Sequence, residues 1–116
     1  MNDFETLRKK IADFATKRDW DQFHSPKNLS MALSVEAAEL VEIFQWLTEA
    51  QSGDLDKEKT QAVADEIADV QIYLIRLADK LGIDIVEAVE TKIAKNDEKY
   101  PAEKVKGSSK KYSEYD

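Results

Sequence analysis

The sequence predicts an all-α protein built as a four-helix bundle, and three observations support this. Glycine and proline are scarce, with three and two copies among 116 residues, which favours long regular elements. Apolar residues recur at helical spacing, and capping residues or helix breakers separate the periodic segments. The length suits one domain. We expect this domain to cover residues 1–101, followed by a polar tail over 102–116.

The composition excludes several kinds of site and partner. The net charge of −7 argues against DNA or RNA as a partner. Cysteine is absent, which excludes disulfides, thiolate zinc sites and cysteine nucleophiles. The first residues lack the apolar core of a signal peptide, and no stretch approaches the roughly 18 uninterrupted apolar residues of a membrane-spanning helix. We therefore expect a cytoplasmic protein without a membrane partner.

The first helix is predicted over residues 3–18, because one apolar face runs through this segment. That face consists of Phe4, Leu7, Ile11 and Phe14. The segment 19–28 breaks the pattern and carries Trp20, Phe23 and the only histidine, His24. These side chains could plug one end of the bundle or form the rim of a ligand site, since loops held by rigid elements often bind ligands.

The second helix is predicted from about residue 26 to 47, with Ser25 as its N-cap and Pro26 as its first residue. Apolar residues flank both sides of a carboxylate stripe, so we expect this helix to be buried almost all round. The stripe consists of Glu36, Glu39 and Glu42, and Asn28 and Trp46 project close to the direction of Glu39. Buried carboxylates are costly unless they are protonated, paired or metal-bound. Glu42, at the edge, could simply reach solvent.

The third helix is predicted over about 57–81, after a polar connection at 48–57. Asp56 is a plausible cap, and Gly82 is a good C-terminal stop. Its main core stripe is predicted to be Val63, Ile67, Val70, Leu74, Leu77 and Leu81. Glu66 and Asp69 lie beside that stripe. Viewed down the helix axis, Tyr73 projects between them. A further apolar patch favours a subunit interface, and it consists of Ala68, Ile72 and Ile75.

The fourth helix is predicted over 85–99, after a capping-box pattern from Asp84 to Glu87 and before Pro101. Its first half should direct Ile85, Ala88 and Val89 inward. The same face then continues with Lys92, Asn96 and Lys99. Either the helix emerges into water there, or the face becomes cationic because an anion lies opposite it.

Two acidic pairs, Glu36 with Glu39 and Glu66 with Asp69, are the candidate chemical centre. Their spacing places each pair on one helix face, and an all-oxygen donor set favours Mg²⁺ or Mn²⁺ over zinc or copper. A di-iron centre needs a Glu-x-x-His phrase on each of two helices, which one histidine cannot supply. Mg²⁺ commonly binds substrate phosphates as well, so the pattern favours a nucleotide polyphosphate. A buried Glu–Lys network without a metal is the structural alternative.

A wider set of residues, spread over almost the whole chain, carries a family resemblance. The set consists of 18–20, 22–24, Pro26, Asn28, Leu29, Glu36, Glu39, 44–46, Glu66, Asp69, 72–74, Lys92, Asn96, Tyr100, Pro101 and 108–112. It resembles the MazG-like superfamily of all-α nucleotide pyrophosphohydrolases, and within it the dCTP pyrophosphatase branch, also described as integron-associated MazG proteins. The sequence departs from relatives at Val35, where MazG proper often has a glutamate, and at Ile11, where some relatives have a histidine.

The resemblance implies an activity and a site. Members of the family hydrolyse nucleoside triphosphates between the α and β phosphates with Mg²⁺, giving a monophosphate and pyrophosphate. The implied metal ligands and catalytic residues are Glu36, Glu39, Glu66 and Asp69, and one of them or a neighbouring carboxylate would orient the attacking water. The implied substrate-binding residues are Trp20, Gln22, His24, Asn28, Trp46, Tyr73, Lys92 and Asn96. A homo-oligomer, often a tetramer built as a dimer of dimers, is implied as well.

These arguments together predict a Mg²⁺-dependent (d)NTP pyrophosphohydrolase of the nucleotide pool, with Mn²⁺ as a possible substitute. The leading substrate is dCTP or a modified dCTP. One alternative is another substrate of the superfamily, dUTP or phosphoribosyl-ATP. The other is a non-enzymatic acidic helical adaptor, whose apolar patches would serve oligomerisation or a protein partner.

Overall fold

A computed structural model describes residues 3–108, and over this part of the chain the protein is helical and contains no strand. The six α-helices described are α1 (Asp3–Lys17), α2 (Pro26–Phe44), α3 (Glu49–Ser52), α4 (Lys57–Leu81), α5 (Ile85–Lys99) and α6 (Ala102–Val105). A 3₁₀ turn at Asp21–Phe23 lies between α1 and α2. The all-α prediction is confirmed. The last part of the predicted tail, 109–116, lies outside the described residues, as do positions 109–112 of the family resemblance.

Local capping chemistry sets the helix boundaries that the sequence predicted. The Ser25 side chain accepts a hydrogen bond from the Asn28 backbone N–H at 3.1 Å, and Asp56 and Asp84 cap α4 and α5 in the same way. Gly82 ends α4 in the left-handed conformation, with φ of 68°, which glycine adopts without the steric cost that a Cβ adds.

Three local features differ from the predictions. The second helix ends at Phe44 instead of about residue 47, so Trp46 lies beyond it. The predicted polar connection contains α3, which begins with a reciprocal capping box between Thr48 and Gln51. This Thr-x-x-Gln phrase is a helix signal that the sequence carries. The predicted tail contains the single turn α6, which follows Pro101.

Contacts divide the chain into two units, one reaching to Ile83 and the other beginning at Asp84. In the first unit, α4 packs against α2 and α1. The second unit contains α5 and α6. The predicted single domain over 1–101 stays a prediction.

The predicted core stripe of α4 is divided, because Val63, Val70 and Leu77 are half-buried and the other three residues are exposed. The half-buried positions include Glu66, Asp69 and Tyr73, whereas three residues of the predicted core stripe are exposed. These three, which we call the exposed stripe, are Ile67, Leu74 and Leu81. The predicted interface patch is divided, because Ile75 is buried while Ala68 and Ile72 are exposed.

The second helix is covered on one side only, so the prediction of burial almost all round is wrong for the single chain. Leu29 is buried, and it is the largest fully buried side chain described. Met31 and Val35 are exposed, because α4, the principal packing partner of α2, covers the opposite side.

On α5 the predicted inward residues are also divided. Ile85 is half-buried, but Ala88 and Val89 are exposed. None of the helices within residues 3–108 combines the length and the apolar character needed to cross a membrane.

Candidate metal centre and substrate loop

Three of the predicted carboxylates meet between α2 and α4. Glu36, Glu39 and Glu66 each offer one oxygen, and these three atoms lie within 4.8 Å of one another. Glu36 and Glu39 stand three residues apart on α2, so they share a helix face, and the packing of α4 on α2 brings Glu66 to them. All three side chains are half-buried. We call this set the acidic cluster.

Two oxygens of the acidic cluster lack a protein partner. Oε2 of Glu36 and Oε2 of Glu66 are buried and accept no hydrogen bond. Such orphaned oxygens are costly, and natural proteins rarely leave them uncompensated. The ion pairs described within residues 3–108 join other side chains. This speaks against the Glu–Lys network as the explanation of the cluster.

The electrostatics of Glu36 favour a cation at this place. Burial is the largest cause that raises the pKa of Glu36, to about 7, and the close carboxyl groups of Glu39 and Glu66 and the charge of Asp69 raise it further. Three carboxylates can therefore be ionised together only at considerable cost. Oxygen donors converging at this spacing suit a hard divalent cation, which would remove that cost. The residues present thus fit a metal.

Asp69 and Glu42 lie outside the acidic cluster. Asp69 follows Glu66 on the same side of α4 and is half-buried, and its charge acts on Glu36, but it does not belong to the group of three converging oxygens. Glu42 is exposed near the end of α2. The structure thus unites three of the four predicted ligands and leaves the fourth beside them.

The segment 19–25 between α1 and α2, which we call the aromatic loop, begins with a left-handed residue. Asp19 has φ of 55° and lies in the turn after α1. Trp20 then packs its ring edge-on against Phe14, with the ring centroids 5.8 Å apart, and remains 45% exposed. Gln22 donates from Nε2 to the backbone oxygen and to Oδ2 of Asp19, both at 3.0 Å. The Gln22 amide therefore braces the turn.

His24 lies in the second half of this loop, and Asn28 lies at the start of α2. The half-buried His24 accepts a hydrogen bond at Nδ1 from Nε of Arg76, at 3.1 Å. Asn28 is exposed, and its side-chain Nδ2 donates to the backbone oxygen of Phe23 at 3.1 Å. These hydrogen bonds connect the loop to α4 through His24 and to α2 through Asn28.

The remaining predicted substrate residues lie in different settings. Tyr73 is half-buried on the polar side of α4. Trp46, beyond the end of α2, is 87% exposed. Lys92 and Asn96 are exposed on α5, in the unit that begins at Asp84. The substrate roles of these residues stay predictions.

Arg76 is the residue that sequence reasoning missed. Its side chain is buried, with 5% of the residue exposed, and it donates to His24, Asp21 and Asp79. Arg8 of α1 also reaches Asp79, and Lys80 reaches Asp21. An arginine between Ile75 and Leu77 in an apolar run was the available signal, because buried arginines are usually paired.

Comparisons with known proteins agree with this architecture. Residues 31–115 match the profile of the MazG-like family. The chain is 42% identical over 112 residues to dCTP pyrophosphatase 1 of Homo sapiens and 40% identical over 112 residues to dCTP pyrophosphatase 1 of Rattus norvegicus. Each alignment covers 95% of this chain and 66% of the relative, so the chain spans just under two thirds of the length of these proteins.

A solved structure shares the fold as well. The crystal structure of a pyrophosphatase from Archaeoglobus fulgidus superposes with a TM-score of 0.82 at 40% sequence identity, covering 87% of this chain and 94% of that one. The family profile spans most of the chain, and the acidic cluster lies inside the matched region. The chain therefore belongs to the MazG-like family.

Proposed function

We propose that this chain is a Mg²⁺-dependent nucleoside triphosphate pyrophosphohydrolase that converts dCTP, or a modified dCTP, to the monophosphate and pyrophosphate. The observation that carries the proposal is the acidic cluster, with two buried oxygens that no protein group satisfies. The substrate is supported by relatives at 42% and 40% identity that are named dCTP pyrophosphatase 1.

The metal would be held by Glu36, Glu39 and Glu66, with Asp69 beside them. The all-oxygen donors favour Mg²⁺, with Mn²⁺ as a substitute. When bound, the cation supplies charge neutralisation, polarises phosphoryl oxygens and lowers the pKa of bound water. The raised pKa of Glu36 without a metal supports this assignment, because it reflects burial and crowded carboxyl groups, whose ionised forms a bound cation would stabilise.

The protein side chains would orient the attacking water and accept its proton. Hydrolysis at the α phosphorus forms one P–O bond to water and breaks the bond to the oxygen that bridges the α and β phosphates. A carboxylate must take up the proton that the water loses. We assign this task to Asp69, because it lies beside the acidic cluster without contributing to the three converging oxygens.

Aromatic side chains would hold the nucleoside. Tyr73 lies on the side of α4 that carries Glu66 and Asp69, and the ring of Trp20 is partly exposed in the loop after α1. Rings of this kind stack on bases. Trp46 is the third candidate, and its large exposure leaves its ring free to contact a ligand.

We also propose that the protein is a homo-oligomer, a tetramer built as a dimer of dimers. The exposed stripe of α4 places Ile67, Leu74 and Leu81 at intervals of seven residues, with 55%, 39% and 54% of each residue exposed. Met31 and Val35 add apolar surface on α2. Exposed apolar residues repeated along a helix favour an interaction site, and a second copy offers a matching stripe across a two-fold axis.

A nucleotide panel with product identification tests the proposed activity. The purified chain is incubated with Mg²⁺ and dCTP, 5-methyl-dCTP, dUTP, dATP, CTP or phosphoribosyl-ATP. Chromatography then separates the nucleotide products, and coupled assays distinguish pyrophosphate from phosphate. We expect dCMP and pyrophosphate, with dCTP or its modified form turned over fastest.

Three results of the panel would contradict the proposal. Release of γ-phosphate would exclude cleavage between the α and β phosphates. Faster turnover of dUTP or phosphoribosyl-ATP would change the substrate. No turnover, together with no Mg²⁺-dependent binding of a non-hydrolysable dCTP analogue in calorimetry, would favour the adaptor alternative.

A further inference from the structure

A buried guanidinium fastens the aromatic loop to α4. Arg76 is 5% exposed, and its Nε donates to Nδ1 of His24 at 3.1 Å. Its Nη1 donates to Asp79 at 3.3 Å, and its Nη2 donates to Asp21 of the loop. A single side chain on α4 therefore contacts two residues of the loop at once.

This contact dictates where His24 carries its proton. Arginine has only donor groups and stays protonated, so the Nδ1 atom that faces it must be an acceptor. An imidazole with an unprotonated Nδ1 is neutral and carries its hydrogen on Nε2. Burial is the largest cause that lowers the pKa of His24, followed by the charges of Arg76 and Lys80, and Asp21 opposes them. The neutral form is therefore favoured.

The contact also places the loop along the polar side of α4. Arg76 follows Asp69 by seven residues, with Tyr73 between them. Seven residues are about two helical turns, or roughly 10 Å along the axis. The loop that bears His24 is thus fastened to the side of α4 that carries Asp69 and Tyr73, about two helical turns beyond Asp69.

We propose that Arg76 is a positioning residue that fixes His24 as the Nε2–H tautomer, so that His24 donates a hydrogen bond to the bound nucleotide. The acceptor is an oxygen or nitrogen of the base, or an oxygen of a phosphate. The tautomer of His24 does not depend on whether the chain is an enzyme. The assignment of the nucleotide as the hydrogen-bond acceptor rests on the proposed function.

The tautomer can be read directly because the chain has one histidine. Two-bond ¹H–¹⁵N correlation spectra of the labelled protein at pH 7.5 should show a protonated Nε2 and an unprotonated Nδ1. Arg76→Lys keeps the positive charge and removes the Nε–H donor, so it should give a mixture of both tautomers. Arg18→Lys is the matched control, because Arg18 stacks on Phe14, and it should leave the His24 signals unchanged.

Two spectral results would overturn the proposal. One is a dominant Nδ1–H tautomer in the native protein, which requires no variant and so does not depend on a variant folding. The other is an Arg76→Lys protein with native circular dichroism and native His24 nitrogen shifts. Titration with dCMP and separately with pyrophosphate then distinguishes an acceptor in the monophosphate part of the substrate from one in the β and γ phosphates, since the Nε2–H signal should move with whichever product accepts from it. No movement with either product would exclude the nucleotide as acceptor.

Kinetics separate positioning from a merely structural role. Loss of one fixed hydrogen bond to substrate should raise KM for dCTP roughly tenfold in Arg76→Lys, with kcat within about twofold of native. His24→Gln places an amide N–H near the position of Nε2 and should retain more substrate affinity than His24→Asn. An unchanged KM in Arg76→Lys, or equal affinity losses in both His24 variants, would contradict the proposal. Absence of hydrolysis in the native chain would instead refute the proposed function and leave the tautomer result standing.

Discussion

Glu36 on α2 and Glu66 on α4 each bury one carboxylate oxygen, Oε2, that no protein group satisfies. Each residue also contributes an oxygen to the group within 4.8 Å, so the two orphaned oxygens belong to carboxylates that converge. A single divalent cation would satisfy both.

Removing one charge from the acidic cluster should impair metal binding and turnover together. We expect Glu66→Gln to lower Mg²⁺ affinity and to reduce kcat/KM for dCTP at least about 100-fold, because an amide is a weaker, uncharged ligand. Calorimetry with Mg²⁺ and steady-state kinetics measure the two effects. Glu42→Gln is the matched control, since it makes the same change at an exposed position of α2. Native kinetics in Glu66→Gln would refute the metal assignment.

The raised pKa of Glu36 predicts how the stability of the metal-free protein depends on pH. The unfolded chain loses this proton near the ordinary pKa of 4.5, whereas the folded chain keeps it to about 7. Between these values the folded state binds more protons, so the contribution of Glu36 to stability falls as pH rises, and above pH 7 the full penalty applies.

Melting curves of metal-free protein check this prediction. Glu36→Gln removes the penalty, so its melting temperature should exceed that of the native chain at pH 8 and approach it at pH 5. The corresponding difference for Glu42→Gln should stay constant over this range. If the melting temperature of Glu36→Gln relative to the native chain falls between pH 5 and pH 8 instead of rising, Glu36 is ionised more easily than its environment indicates.

We expect Trp46 to contribute to substrate binding and not to the stability of the fold. Because its side chain is almost fully exposed, Trp46→Ala should change the free energy of unfolding by no more than about 0.5 kcal/mol. Loss of a stacking surface should raise KM for dCTP, with a smaller effect on kcat. Unchanged KM and unchanged selectivity among bases would remove Trp46 from the nucleoside site.

The exposed stripe of α4 predicts how the oligomer can be broken. Leu74→Glu puts a charge into this apolar surface, where a buried leucine would contribute about 1.5–3 kcal/mol per subunit. We expect light scattering after size-exclusion chromatography to show a smaller species than the native one. Lys59→Glu introduces the same side chain at an exposed polar position of α4 and should leave the mass unchanged. A native chain that is monomeric at micromolar concentration would contradict the proposed assembly.

The features that the sequence predicted well depend on neighbouring residues. Ser25, Asp56 and Asp84 each satisfy a backbone N–H three residues later, and Gly82 adopts a conformation that glycine favours. Each of these signals involves residues within about one helical turn of one another, so the local sequence is enough to recognise it. The acidic pairs were also recognisable, because carboxylates at i and i+3 among apolar residues need an explanation wherever they occur.

The features that the sequence missed depend on distant residues or on surface outside one chain. Hydrophobic periodicity predicted Leu74 as buried, but Leu74 is exposed, whereas Glu66 is half-buried and joins the cluster where α4 packs on α2. Periodicity measures which face avoids water and does not identify the partner that covers it. Arg76 was missed because its acceptor, His24, lies 52 residues away in the chain.

The small apolar core has a consequence for how stability should be reported. The buried apolar residues described are Ala15, Leu29, Ile75 and Ala78, and only Leu29 is a large, fully buried side chain. Under the oligomer proposed above, much of the burial that stabilises a domain of this length would come from association with a second copy. Folding and assembly would be one equilibrium. The melting temperature would consequently rise with protein concentration, and a single value would have no meaning without the concentration at which it was measured.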